Sequence, residues 1–300
     1  MNLYIDKKNK KTIYNIIFSS ITDLYNYLKS DPSINKDVFK EISSIKNNSS
    51  FYGDSYSRSV EYLKGGYNKG FDNFLKSAEI LREANLDYSD NRDLIKSIYG
   101  GIPLASLVAS GIPECMLRYD RRKDAKVRNI YFSLSYSCGT VTEQVINRGL
   151  SMLYILDALE KNGDIINFKA NEISFYDSEI VNIEVVLKKP GDAFLNLEKC
   201  YFPFVGKEFL RRLLFRVLEC TPVQFYGWQS TYGRVMTVEQ AKEFMGLKEG
   251  DLFIPEPKEI GITGDSIYED SVKLINYLGL NTEFDVEKVK RIEKNRIRYD

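Results

Sequence analysis

No histidine occurs anywhere in the 300 residues, and that absence removes whole classes of chemistry. Ser-His-Asp and Cys-His nucleophile activation, HExxH zinc sites and histidine-dependent metal nucleases all need an imidazole. What remains for catalysis is carboxylates with Mg²⁺, a lysine, or a tyrosine nucleophile, and among 21 tyrosines none is singled out. Net charge is also missing: 42 basic residues balance 42 acidic ones, so the chain as a whole has no electrostatic reason to seek nucleic acid or an anionic membrane. Cysteine is scarce. Cys115, Cys138, Cys200 and Cys220 are far apart and form no C-x-x-C pair, which argues against a zinc ribbon or a redox motif and for buried free thiols in a reducing compartment. No run of about 18 apolar residues is present, and the opening MNLYIDKKNKK lacks the apolar core of a signal peptide. A cytoplasmic protein without a membrane segment is expected, with neither metal nor cofactor marked.

Hydrophobic residues make up 43% of the chain, enough for one large domain or a domain with a smaller module beside it. An apolar run at 13–18 precedes SSITDLYNYLKS, where Ser20 and Asp23 read as a helix start. The polar stretch 43–50 reads as a linker that sets off residues 1–50 as a small N-terminal extension. Helix-period segments SYSRSVEYLKGG and FDNFLKSAEILREANL predict a mostly helical region over 51–111, with a short helix near its end. From 112 to 280 the pattern alternates between strand and helix. Strands are predicted at 114–119, 128–135, 164–170, 181–189 and from Asp251. The first two are expected to pair as a hairpin, as are the strands at 164–170 and 181–189. Thr140 with Glu143, Thr237 with Gln240, and Ser266 with Glu269 read as helix starts. A helix over 207–219 puts Phe209, Leu210, Leu213, Leu214, Val217 and Leu218 on one face and Arg211, Arg212 and Arg216 on the other. Residues 281–300 read as a basic C-terminal helix. The fold class expected is α/β, with a mainly parallel, helix-flanked sheet and a mostly helical N-terminal part.

The best-specified stretch is NIYFSLSYSCGTVTEQVINRGLSMLYILDALEKNGDIINFK: strand, serine-rich turn, long helix, strand. Ser133, Ser135 and Ser137 alternate, so in an extended segment they would share one face, at the strand end where open α/β sheets place ligands. Ser133-Leu134-Ser135-Tyr136-Ser137, followed by a helix and by Gly163-Asp164, resembles the von Willebrand factor type A fold, whose first strand ends in an Asp-x-Ser-x-Ser metal motif. Here Ser133 stands in place of the aspartate. Three neutral hydroxyls offer a hard cation no charge, so the resemblance implies the fold without its metal. A carboxylate from another loop would change that, and Asp192 and Asp265 follow strand or loop ends. A second resemblance is to an uncharacterised family of bacteriophage proteins. It rests on FYGDSYSRSVEYLKGGYNKG, GIPECMLRYDRR and INRGLSMLYILDALEKNG, and it implies a phage setting in a bacterial host but no activity.

Two further clusters could meet a partner. RYDRRKDAKVR holds Arg118, Arg121, Arg122, Lys123, Lys126 and Arg128 against only Asp120 and Asp124, a pattern suited to phosphate contacts and equally to an ordinary solvated turn. Tyr226, Trp228 and Tyr232, in a glycine-punctuated segment, could stack on bases or plug the end of a core. The expected function is a binding module of phage or mobile-element origin that recognises protein or nucleic acid through the serine turn and the basic hairpin. The alternatives are a Mg²⁺-dependent or tyrosine-linked phosphodiester enzyme of phage genome replication, and a virion structural protein.

Overall fold

A computed structural model describes the chain except residues 9, 37–38, 40–42, 48–49, 73–74, 76–93, 99–101, 120–126, 138, 162, 177, 193–194, 222–233, 236 and 281–300. Its centre is a seven-stranded mixed sheet. Along the sheet run β1 (Asn2–Lys8), β2 (Lys11–Phe18), β8 (Glu179–Lys188), β7 (Ile165–Tyr176), β6 (Val127–Ser133) and β10 (Leu252–Ile254), while β9 (Arg234–Val235) also pairs with β7. Three junctions on this path are parallel: β2 with β8, β6 with β7, and β10 with β6. The expected hairpin of β7 and β8 is present, Ser174 lying opposite Val181.

The other expected hairpin is absent. Residues 116–119 do form a strand, β5, but it pairs with β3 (Leu94–Ser97) and β4 (Ile102–Pro103) in a separate small sheet. β6 has no edge to offer β5, because β7 and β10 occupy both of its sides. The first residues differ from the expected extension as well. The apolar run at 13–18 lies in β2, which pairs in register with β8 from Thr12 opposite Glu179 to Phe18 opposite Val185. A strand buried on this scale cannot stand apart from the sheet that covers it.

Alternation decides which face of the sheet is covered. Ile16 and Phe18, Val181, Ile183 and Val185, Ile166, Phe168 and Ala170 point to one side and are fully buried. Against them pack α1 (Ile21–Lys29), α5 (Thr142–Lys161), α6 (Leu197–Val205) and α10 (Ile267–Tyr277). α5 is nearly apolar all round from Met152 to Leu156, as befits a helix enclosed by others. Phe204 of α6 stacks on Phe168 at 5.2 Å and meets Phe132 edge-on at 4.5 Å. Each such ring contributes roughly 1.5–3 kcal/mol by its removal from water. Among the described residues, the opposite face carries polar residues at the intervening positions and a small cluster, Ile13, Ile173, Ile180 and Phe253 under Val238 and Ala241 of α8 (Val238–Met245). Among the described residues, helices thus flank mainly one face, as in a one-sided sheet.

Several helix ends follow the sequence. The Asp23 N–H donates to the Ser20 hydroxyl, Thr237 and Gln240 form a reciprocal capping box, and Ser266 caps α10. α3 (Tyr56–Gly65) stops at Gly66, whose φ of 86° suits glycine alone. α4 (Ala105–Ala109) is the short helix expected near the end of the 51–111 region. At α5 the start differs. Gln144, not Glu143, reaches back to the Val141 N–H at 3.0 Å, while the Thr140 hydroxyl turns toward Glu256.

The predicted amphipathic helix over 207–219 is a π-helical stretch, Phe209–Leu214, continued by α7 (Phe215–Cys220). Its arginine face is buried. Arg212 donates to the carbonyls of Ser44 and Asp54, each at 2.7 Å, and of Gly53 at 3.4 Å. Arg211 reaches the Phe51 carbonyl at 2.8 Å and Arg216 the Pro32 carbonyl at 2.6 Å. Glu219, fully enclosed, accepts the Ser44 N–H at 2.9 Å. The stretch read as a linker therefore supplies a short helix, α2 (Ser43–Lys46), whose Ser44 is completely buried. Its polar groups are hydrogen-bonded by these side chains instead of by water.

Candidate functional site

The serine turn leaves the C-terminal end of β6 beside the end of β10 and the middle of β7, Ser133 lying opposite Asn171, and it is a closed structural corner. Ser133 is 4% exposed and Ser135 3%. The Ser135 hydroxyl accepts from the Ile173 N–H at 2.9 Å and lies 3.1 Å from the carbonyl of the same residue. The Ser133 hydroxyl donates to the Ser135 carbonyl at 3.4 Å. Ser137 offers its N–H to Glu256 at 2.7 Å, and its hydroxyl sits 3.3 Å from that of Thr140. β6 ends at Ser133, so the alternation that would have aligned the three hydroxyls stops before the second of them.

Carboxylates do reach this turn, from places other than Asp192, which accepts its own loop's Lys189 N–H at 2.8 Å. Glu256 comes from the segment after β10. Glu172 comes from β7, accepting from Ser174 and lying 3.5 Å from the Ser135 hydroxyl. Burial pushes the Glu172 carboxyl up to about 7, against the two serine hydrogen bonds that favour its ionised form. Behind the turn, Arg148 of α5 is 1% exposed, lies 4.3 Å over the Phe132 ring and donates to the Pro255 carbonyl at 2.6 Å. Burial lowers its guanidinium to about 9. Among the described residues no three or more cysteines or acidic side chains gather in a way that could hold a metal ion.

The basic segment is described only at its ends. Arg128 is ion-paired with Asp164, and the Arg118 backbone lies in β5 opposite Ile95. Arg121, Arg122, Lys123 and Lys126 fall outside the described residues, as do Tyr226, Trp228 and Tyr232 and the C-terminal residues 281–300. No helix among the described residues is long and apolar enough to cross a membrane.

A concavity lies on the polar face of the sheet. A cleft of about 290 Å³ runs between β1, β2, β8, β7 and β6 on its floor and the end of α8 on its wall. Asn15, Asn182 and Asn171 form a row across three strands: Asn182 donates to Asn15 at 3.1 Å and Asn171 to Asn182 at 3.0 Å. Asn171 is fully buried with its side-chain amide oxygen unpaired. One step along the strands, Lys169 pairs with Glu184 at 2.9 Å and stands 5.7 Å over the Tyr131 ring. A further row follows, in which Asn167 donates to Asn129 and Asn129 to Asp251, at 2.9 and 2.8 Å. Tyr4 and Asp6 line the β1 side, and the Lys8 ammonium ties β1 to α8 through the Glu243 carbonyl at 3.0 Å. Burial, then Glu184 and Asp6, hold the Tyr4 hydroxyl above its usual range; burial, then Asp251 and Glu184, do the same for Tyr131.

This cleft is made of residues the sequence motifs did not mark. The signal is present in part: NFKAN places Asn167, Lys169 and Asn171 at every second position and VNIEV places Asn182 and Glu184 so, while IYNIIF offers Asn15 alone. Such alternation assigns one side of each strand to a polar surface, but only strand order and register bring those positions together.

Comparison with family models matches residues 6–282 to one described as a domain of unknown function, DUF7192. No curated protein and no solved structure matches the chain.

Proposed function

We propose that this chain, which belongs to the DUF7192 family of domains of unknown function, is a binding module whose ligand site is the polar cleft on the open sheet face. The observation that carries this reading is the cleft itself: about 290 Å³ of space lined by Tyr4, Asp6, Asn15, Tyr131, Lys169, Asn182 and Glu184. Polar side chains held in rows by one another are already oriented, so a ligand meeting them pays little ordering cost. The serine turn is consumed by internal hydrogen bonds and serves as the corner that fixes β6 against β7 and β10. A bacteriophage setting, with the protein acting inside a bacterial host, belongs to this reading and rests on the sequence resemblance. So does the von Willebrand type A-like ancestry. The order β10-β6-β7-β8 with a serine turn at the end of β6 favours it, and helices gathered on one face weigh against it.

The test is a titration of ¹⁵N-labelled protein with neutral oligosaccharides, mononucleotides, amino acids and short peptides. Amide shifts concentrated at Asn15, Lys169, Asn182 and Glu184 support the reading; a panel in which no member moves those amides overturns it. A second surface for phosphate is favoured by one observation, the six basic residues against two acidic ones in 118–128. A gel shift with DNA and RNA at low salt tests it, and no shift removes it.

A further inference from the structure

We infer that the ligand of the open-face cleft is a neutral oligosaccharide, an inference that rests on the proposed binding role of that cleft. Charge is the first argument. Among the lining residues Lys8 and Lys169 are matched by Asp6 and Glu184, so the lining carries no net charge. Lys169 is paired with Glu184 at 2.9 Å, and Lys8 is held by the Glu243 carbonyl at 3.0 Å. An anionic ligand would meet two carboxylates for two ammonium groups and gain no net electrostatic attraction, so a nucleotide is disfavoured. A lipid or other apolar ligand is disfavoured by the lining, in which amide, carboxylate, ammonium and phenol groups outnumber Ile13, Phe244 and Met245.

Geometry separates the two neutral classes that remain. Peptides are most readily held by a sheet through its edge, where unpaired N–H and C=O groups accept another strand. This cleft lies on the face of the sheet from β1 to β6, and the backbone groups of β2, β8 and β7 at its centre are committed to one another in the ladder. Apart from Gly246, the lining consists of residues that present side chains. Carboxylate oxygens at Asp6 and Glu184 accept from hydroxyls, and the Lys169 ammonium donates to them. Sugar hydroxyls are donors and acceptors at once, which suits this alternation. Tyr4 completes the set: it lines the cleft, is 51% exposed, and carries the aromatic ring on which the C–H side of a pyranose can pack.

Isothermal titration of the full chain with maltotriose, cellotriose, xylotriose and chitotriose tests the inference. At least one is expected to bind, with Glu184→Gln and Tyr4→Ala each weakening it tenfold or more and Tyr4→Phe restoring most of the loss. Thermal melts and one-dimensional NMR spectra check that the variants are folded; Tyr4, lying half-exposed, is the site least able to disturb the core. If no trisaccharide binds while a peptide or mononucleotide moves the cleft amides, the oligosaccharide inference falls and the binding role survives. If nothing in either panel moves those amides, both fall. Equal affinity of wild type and variants would place the sugar elsewhere and overturn the inference.

Discussion

Replacing Arg212 tests how residues 44–54 are held to the rest of the protein. Its guanidinium is 2% exposed and serves three backbone carbonyls, those of Ser44 and Asp54 at 2.7 Å and Gly53 at 3.4 Å, with the Tyr52 ring 5.1 Å away. A hydrogen bond from a charged donor contributes about 1.5–3 kcal/mol, and the two short ones dominate. Arg212→Ala also strands carbonyls that have lost their donor, so a loss of about 3–5 kcal/mol is expected. That is a large share of the roughly 5–15 kcal/mol available to a folded domain. Arg212→Lys should recover less than half, because one ammonium cannot span both short contacts. Urea unfolding followed by circular dichroism gives the stability change, and hydrogen exchange gives its location. The amides of Gly53 and Asp54, which bond to the Ser50 carbonyl and to Glu208, should lose protection first. A stability change below about 1 kcal/mol, or unchanged exchange at these amides, would refute the clamp.

Gly149→Ala, which in an exposed helix would add about 1 kcal/mol, should here cost several. A Cβ on Gly149 would lie 2.8 Å from the Phe204 carbonyl carbon and closer to its oxygen, where α5 crosses α6; thermal melts read the sign. Glu172→Gln should raise stability at pH 8 relative to wild type by up to about 3 kcal/mol and leave it little changed near pH 4. The folded carboxyl sits near 7, above its ordinary value of 4.5, so the native state holds a proton that the unfolded chain has released. Stability therefore falls as pH rises from about 4.5 to 7 and then levels, and the variant removes that slope; urea midpoints across this range check it. Asn182→Ala should cost about 1–3 kcal/mol, since it takes the partner from both Asn15 and Asn171.

The elements of the sheet were legible where local chemistry is explicit. Thr237 and Gln240 announced α8, Ser266 announced α10, and the period-2 pattern announced β7 and β8. Partners were not. Nothing in residues 116–119 says that β6 already has two neighbours, and nothing in the run at 13–18 says that it pairs with a strand about 165 residues away. The arginines of 211–216 read as the polar face of an amphipathic helix, because periodicity reports which positions are polar and not what satisfies them. Their partners are backbone carbonyls, which carry no sequence signature. α6 went unmarked because CYFPFV is apolar throughout, and Pro203 argues against a helix that the surrounding core enforces. The cleft was hidden for the same reason as the strand order: Asn15, Lys169 and Asn182 become neighbours only through register.

The most direct measurement is the set of intermolecular nuclear Overhauser effects between protein and the tightest-binding trisaccharide. Contacts from sugar protons to the rings of Tyr4, Tyr131 and Phe244, which line the open-face cleft, are the expected result. Contacts confined to residues around the serine turn or the 118–128 segment, with none to those three rings, would contradict it.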